Sequence, residues 1–297
     1  MYVLAHLSDP HVGPLPRPGL AALAGKRAFG FANWHLRRHG GHRPAALDAI
    51  TEDVRSAMPD HVAVTGDLIN IALEQEFAPA LAWLERLGPP DRVTLVPGNH
   101  DAYVRAAQLH AARFWDAYMR GDSDHGDAPR FPFLRRRGAV ALIGLSTALP
   151  TLPLMATGLI GPEQLTQLAA LLERIGGEGL FRVVLIHHPP AGLRARHKRL
   201  VDAAALVDVL RQRGADLVLH GHDHLHSVNW LEGPHGRIPV VGVPSSSETR
   251  DTPKRHPAAY NLYRIEGAPG AWRCEAISRG LRADHGVGEL RRETLIG

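Results

Sequence analysis

Five of the short apolar runs in this chain end in residues that bind metals. The clusters are Asp9-Pro10-His11, Gly66-Asp67, Gly98-Asn99-His100-Asp101, His187-His188-Pro189 and Gly221-His222-Asp223-His224. The runs that precede them, 2–7, 61–65, 92–96, 182–186 and 216–219, have the length and composition of buried strands, as does 139–145. Helical periods lie between them. Phe77, Leu81, Leu84 and Leu87 recur at three- and four-residue steps, as do Leu165, Leu168, Leu172 and Ile175, then Leu206, Val209 and Leu210, with Gly214 placed to stop the last helix. Strands alternating with helices predict an α/β layered fold. Such folds gather ligands at the carboxyl ends of their strands, where all five clusters fall.

After Gly221 the pattern changes. Runs at 225–231, 238–243, 259–265 and 271–277 have no helix between them and are expected to be antiparallel strands completing a second sheet. No linker or repeat interrupts the chain. We read one domain over 1–280, with a basic, aromatic insertion at 14–44 and a long polar loop at 245–257. The polar tail 281–297 is expected to be a loose or partner-packed extension.

The apolar fraction of 44% permits a large core. No run approaches the ~20 apolar residues that span a bilayer, and the N-terminal run is too short for a signal peptide. A single cysteine, Cys274, excludes an internal disulfide and fits the cytoplasm. A pI of about 9.6 and a net charge of +4 point weakly to anionic partners.

Taken singly, each cluster is better explained as a turn, a cap or an incidental histidine. Together they describe a two-metal site. Asp9 and His11 offer a carboxylate and an imidazole from one turn, a mixture that borderline divalent ions accept. Asp67 can bridge two cations. Asn99 supplies a neutral amide oxygen. His100 need not point at a metal and can face substrate, with Asp101 near enough to fix its tautomer. On a strand adjacent side chains diverge, so one of His187 and His188 reaches the site, whereas His222 and His224 face the same way.

This ordered set (Asp-x-His, Gly-Asp, Gly-Asn-His-Asp, His-x-Pro, Gly-His-x-His) resembles the calcineurin-like metallophosphoesterase superfamily over roughly residues 1–245, with no core motif missing. The resemblance implies a four-layer α/β/β/α sandwich, two mixed sheets flanked by helices. It implies two divalent or mixed-valence ions, with Mn, Fe or Zn favoured and Co or Ni allowed. Asp9, His11, Asp67 and His224 would hold one ion; Asp67, Asn99, His187 and His222 would hold the other. His187 is preferred to His188 because it stands two residues before a proline. Only Asp9 and Asp67 among these ligands are anionic, so the loaded site keeps about +2, enough to acidify a shared water and attract phosphate. The implied activity is phosphate-ester hydrolysis by a metal-bridging hydroxide, with His100 and Asp101 serving the leaving group.

The His-His-Pro-Pro string and the chain length are most similar to bacterial cyclic-nucleotide and glycerophosphodiester phosphodiesterases, which favours a diester. The insertion suggests another substrate class. Leu20, Leu23, Phe29, Phe31, Trp34 and Leu36 are interleaved there with Lys26, Arg27, Arg37, Arg38 and Arg43. Such a segment, with the basic stretch 194–199, suits a lipid-linked pyrophosphate of the UDP-2,3-diacylglucosamine type and peripheral contact with an anionic inner membrane. It equally suits a cap with solvated arginines. A phosphomonoesterase and a non-catalytic scaffold are the remaining alternatives. Aromatics at 6% and the lack of a recognisable module argue against nucleic acid. Oligomeric state is not legible.

Overall fold

The structure is a computed structural model describing all residues except 24, 125, 127–129, 193–194 and 284–285, so Arg194 of the second basic stretch lies outside the described residues. In chain order the strands are β1 (Tyr2–Leu7), β2 (His61–Val64), β3 (Val93–Leu95), β4 (Phe133–Arg137), β5 (Val140–Gly144), β6 (Phe181–Leu185), β7 (Leu217–His220), β8 (Ser227–Gly233), β9 (Gly236–Gly242), β10 (Ala259–Glu266), β11 (Arg273–Leu281) and β12 (Val287–Ile296). The α-helices are α1 (Lys26–Asn33), α2 (Pro44–Ser56), α3 (Glu74–Leu87), α4 (Arg105–Trp115), α5 (Pro162–Gly176) and α6 (Ala203–Arg213).

Two six-stranded sheets form, in the orders β12-β11-β10-β1-β2-β3 and β4-β5-β6-β7-β9-β8. Both are mixed. β1, β2 and β3 run parallel, as do β5, β6, β7 and β9, and the remaining pairs are antiparallel. The alternation of buried residues explains the layering. Val140 and Leu142 of β5, with Val183 and Leu185 of β6, join a core shared with the first sheet and with α2, α3 and α4. Ala141 and Ile143, with Val184 and Ile186, turn the other way onto α5 and α6. A strand buried on both faces reads as an unbroken apolar run, which is why these segments carry no polar alternation. The result is an α/β/β/α sandwich.

Two expectations need correction. The late strands do not all complete the second sheet. β8 and β9 do, with β9 parallel to β7, but β10 to β12 return to the first sheet beside β1. The tail 281–297 is not loose either: Val287–Ile296 is the edge strand β12, paired with β11 from Leu281↔Val287 to Cys274↔Ile296. An edge strand with a solvated face reads as a polar tail, and charges such as Arg292, which bonds Glu275 at 2.9 Å, are how sheet edges are protected.

Candidate metal centre

The parallel strands of both sheets deliver their carboxyl ends to one place. β1 leads to Asp9 and His11, β2 to Asp67, β3 to Asn99 and His100, β6 to His187, and β7 to His222 and His224. Backbone bonds lash these turns together: Asp9 N–H to Gly66 C=O (2.9 Å), His11 N–H to Asp67 C=O (3.1 Å) and Gly221 N–H to His187 C=O (3.1 Å). The glycines are needed for contact. A Cβ on Gly98 would stand 2.3 Å from Asp67 Oδ1, and one on Gly221 would stand 2.5 Å from Asp9 Oδ2. The turns are also strained. Asp9, His11, Asp67, His222 and His224 all have φ between 40° and 70°, a region such residues enter only when the surroundings enforce it.

The donor atoms converge. His224 Nε2 lies 3.1 Å and His11 Nε2 4.0 Å from Asp9 Oδ1. His187 Nε2 lies 3.4 Å from Asp67 Oδ2 and 3.3 Å from Asn99 Oδ1. The His222 ring is 5.2 Å from that of His187. The far ring nitrogens of His187, His11 and His222 are already spent, while His224 Nδ1 faces Arg255 Nη1 at 3.3 Å. His187 Nδ1–H donates to the Thr65 carbonyl (2.6 Å), His11 Nδ1–H to the Ile69 carbonyl (3.1 Å) and His222 Nε2–H to the Lys198 carbonyl (2.9 Å). This is how metal-binding imidazoles are oriented. His188 commits both nitrogens elsewhere, to Thr147 Oγ1 (2.7 Å) and the Ala156 carbonyl (3.1 Å).

Buried carboxylates here gather positive charge. Burial opposes ionisation of Asp9, but His224 and His187 outweigh it and hold the carboxyl far below its usual range. Burial likewise opposes Asp67, and His187 and His100 bring its pKa down. His187 is the counterpart. Burial would lower its pKa, yet Asp67 and Asp9 raise it to about 10. The Arg38 guanidinium is drawn in as well, donating to His11 Nε2 (2.6 Å) and His100 Nε2 (2.8 Å). Asp9 Oδ1 is buried with no hydrogen-bond partner. An unpaired carboxylate oxygen, converging imidazoles and stand-in cations all fit a pair of metal ions, and the oxygen and nitrogen donors suit borderline divalent metals.

The expected pairing of His100 with Asp101 is corrected. His100 Nδ1–H donates to the Asn70 carbonyl, which fixes its tautomer. Asp101 instead accepts backbone N–H bonds from Asp67, Leu68 and Gly98, each 2.8 Å, and from Ile69 at 3.4 Å. The two turns following β2 and β3 thus hang on one carboxylate. Burial, then the charge of Asp67, pushes Asp101 up to about 7; cations bound at Asp67 would oppose that rise.

Sequence reasoning treated Arg38 as one basic residue among several and passed over His42. Arg38 is 7% exposed, delivered by a π-helical turn (Trp34–Arg38) that closes with His39 N–H on the Trp34 carbonyl. Arg27 is likewise not a solvated arginine, since it donates to the Ile71 carbonyl at 3.2 Å. Trp34 and Arg38, four residues apart, both face inward; the spacing is an ordinary helical one, and what the sequence does not mark is that the arginine on that face is buried.

A family model described as calcineurin-like phosphoesterase matches residues 2–226. No curated protein matches the chain. Among solved structures, a dimetal phosphatase from Danio rerio aligns over 99% of this chain and 98% of its own, at 14% identity and a TM-score of 0.60. A purple acid phosphatase from yellow lupin (Lupinus luteus) seeds aligns over 97% of this chain and 52% of its own, at 12% identity and a TM-score of 0.62. At these identities the likeness is one of fold.

Proposed function

The chain belongs to the calcineurin-like phosphoesterase family, metal-dependent hydrolases of phosphoesters, and within it we propose a phosphodiesterase with two metal ions. Asp9, His11, Asp67 and His224 hold one ion, and Asp67, Asn99, His187 and His222 the other. When bound, the ions supply an acidified water and neutralise phosphate charge.

The cavity above the ligands carries the diester reading. It has a volume of about 500 Å³ and is lined by Lys26, Arg37, Arg38, Lys198, Lys254 and Arg255, with Phe29, Trp34, Tyr103, Leu154 and Met155 between them. A phosphate alone needs far less room, and the mixed wall suits groups on both ester oxygens. Arg38 holds its fork beside His100, where it can take a phosphate oxygen with two donors. Burial, aided by Arg38, lowers His100 to about 4. The ring is therefore neutral at rest, and the charge of an arriving phosphate favours its protonation. From Nε2 it then serves the leaving oxygen, with Nδ1–H held by Asn70.

The test is hydrolysis of bis(p-nitrophenyl) phosphate against p-nitrophenyl phosphate by protein carrying two metals. The diester should be cleaved with the higher kcat/KM; preference for the monoester refutes the reading. No hydrolysis of either ester by protein carrying two metals would favour a scaffold.

One observation favours a lipid-linked substrate as the second reading. Phe29 (55% exposed) and Leu154 (80% exposed) line the cavity mouth, and Leu36 and Leu152 nearby in the chain are also bare. Apolar side chains among basic ones suit the surface of an anionic membrane. No described helix is long and apolar enough to cross one. Cosedimentation with phosphatidylglycerol vesicles, lost in Phe29→Asp/Leu154→Asp, would support this reading; absence of sedimentation in the unaltered protein refutes it.

A further inference from the structure

We propose that His42, from the insertion, is an additional ligand of the first ion and completes a three-histidine face with His11 and His224; this rests on the two-metal reading above. The ligand nitrogens of the three residues all lie within 4.8 Å of one another. Their ring centroids form a triangle: 4.8 Å between His11 and His42, 5.8 Å between His42 and His224, and 5.4 Å between His11 and His224.

His42 is 5% exposed, and its Nε2 has no hydrogen-bond partner. A buried polar atom left unpaired is costly, and native structures seldom leave one without a function. The other nitrogen is held by a pair of serines. Ser245 Oγ–H donates to the Asp9 carbonyl (2.6 Å), so Ser245 Oγ can only accept from its neighbours. Ser247 Oγ lies 3.3 Å from it and 2.8 Å from His42 Nδ1; with the Ser247 proton on Ser245 Oγ, Ser247 Oγ accepts from His42 Nδ1–H. In that arrangement His42 carries its proton on Nδ1 and presents a bare lone pair at the partnerless Nε2. The hydroxyl relay ends on the backbone of Asp9, itself a ligand, so the His42 ring and the first turn are oriented together.

The ring is held for this purpose from several sides. Trp34 stacks on it at 5.9 Å with planes 15° apart. His42 N–H bonds the Arg38 carbonyl, and Arg43 N–H bonds the Ser247 carbonyl, at 3.2 and 2.9 Å. The insertion thus supplies a ligand as well as a wall. The two sites become unequal. The first has three imidazoles with Asp9 and Asp67; the second has two imidazoles, an amide oxygen and the shared carboxylate. A nitrogen-rich first site selects Zn, Co, Ni or ferrous iron over Mn.

The test uses the full chain titrated with Co²⁺ and read by metal stoichiometry, affinity and proton NMR. The unaltered protein should bind two Co²⁺ and show five paramagnetically shifted imidazole N–H signals, from His11, His42, His187, His222 and His224. His42→Gln should keep two ions, show four such signals and bind the first ion at least tenfold more weakly. Ser247→Ala, which removes only the acceptor of the Nδ1 proton, should weaken that ion by about 10-fold. If His42→Gln fails to fold, the signal count of the unaltered protein and the Ser247→Ala affinity decide. Four signals in the unaltered protein, or unchanged affinity in both variants, overturns the role of His42 and leaves the two-metal reading standing. Fewer than two ions in the unaltered protein overturns both.

Discussion

Replacing Asp101 by asparagine separates anchoring from catalysis. The carboxylate accepts from Asp67 and Gly98 on Oδ2 and from Leu68 on Oδ1, all at 2.8 Å, with Ile69 at 3.4 Å on Oδ1. An amide of the same shape has one acceptor oxygen and one donor group. Whichever way it turns, its NH₂ faces one pair of backbone N–H groups, either Asp67 and Gly98 or Leu68 and Ile69. Each bond to a charged acceptor contributes about 1.5–3 kcal/mol, so losing two costs about 3–6 kcal/mol. For a chain of this size roughly 2 °C is lost per kcal/mol, giving a melting temperature about 6–12 °C lower. The fall should be measured calorimetrically on metal-loaded protein, with kcat on bis(p-nitrophenyl) phosphate taken well below the melt. Because Asp101 does not touch His100, kcat per intact two-metal site should stay near normal. An unchanged melting temperature with a large loss of kcat would refute the anchoring argument and restore Asp101 as a partner in the chemistry.

His100→Ala should leave two metals bound by elemental analysis while lowering kcat about 10²–10⁴-fold, the range for a positioned proton donor. Gly98→Ala places a Cβ 2.3 Å from Asp67 Oδ1 and 2.6 Å from Asp67 N, with little freedom to relax, so metal stoichiometry should drop below two. Chelation should lower the melting temperature of the unaltered protein, because ions that bind only the folded site stabilise it; calorimetry with and without chelator checks this. Glu248 supplies a pH test. Burial disfavours its charge, but Arg250, then Arg255, hold its pKa down to about 2. A depressed folded pKa gives stability that is complete above the unfolded value of about 4.3 and lost as pH falls towards 2. Melting curves of Glu248→Gln should therefore depend less on pH across that window than those of the unaltered protein.

The residues of the candidate centre were legible because each lies at most a few residues past a strand, and a strand leaves an apolar run that sequence displays directly. Asp9, Asp67, Asn99, His187, His222 and His224 share that signature. What failed was any inference that needed a direction within a turn. Asp101 follows His100 in sequence, yet the bend at Asn99 sends the two side chains apart, one to the Asn70 carbonyl and one to the backbone of the neighbouring turns. The destination of β10 to β12 failed for a related reason: an antiparallel run carries no mark of which sheet edge it will join, and here β1 offered the open edge.

The insertion was legible only in part, for a different reason, and that reason bears on function. Residues 14–44 contain a basic, aromatic mixture whose composition is the same whether its cations face water or face inward. Only the partners decide, and they are far off in sequence. Arg38 meets His100 across 62 positions, and His42 meets Ser247 across 205. The long polar loop supplies Ser245 and Ser247, and both serines are buried behind Asp9. The two segments that depart from the α/β pattern therefore meet each other beside Asp9 and His11 of the candidate centre. The strand-end motifs are what the chain shares with the family model, which matches residues 2–226. The insertion and the serine loop add a guanidinium, an imidazole and a cavity wall to them, so differences in metal preference and substrate from other members of the fold should map to these segments and not to the five clusters.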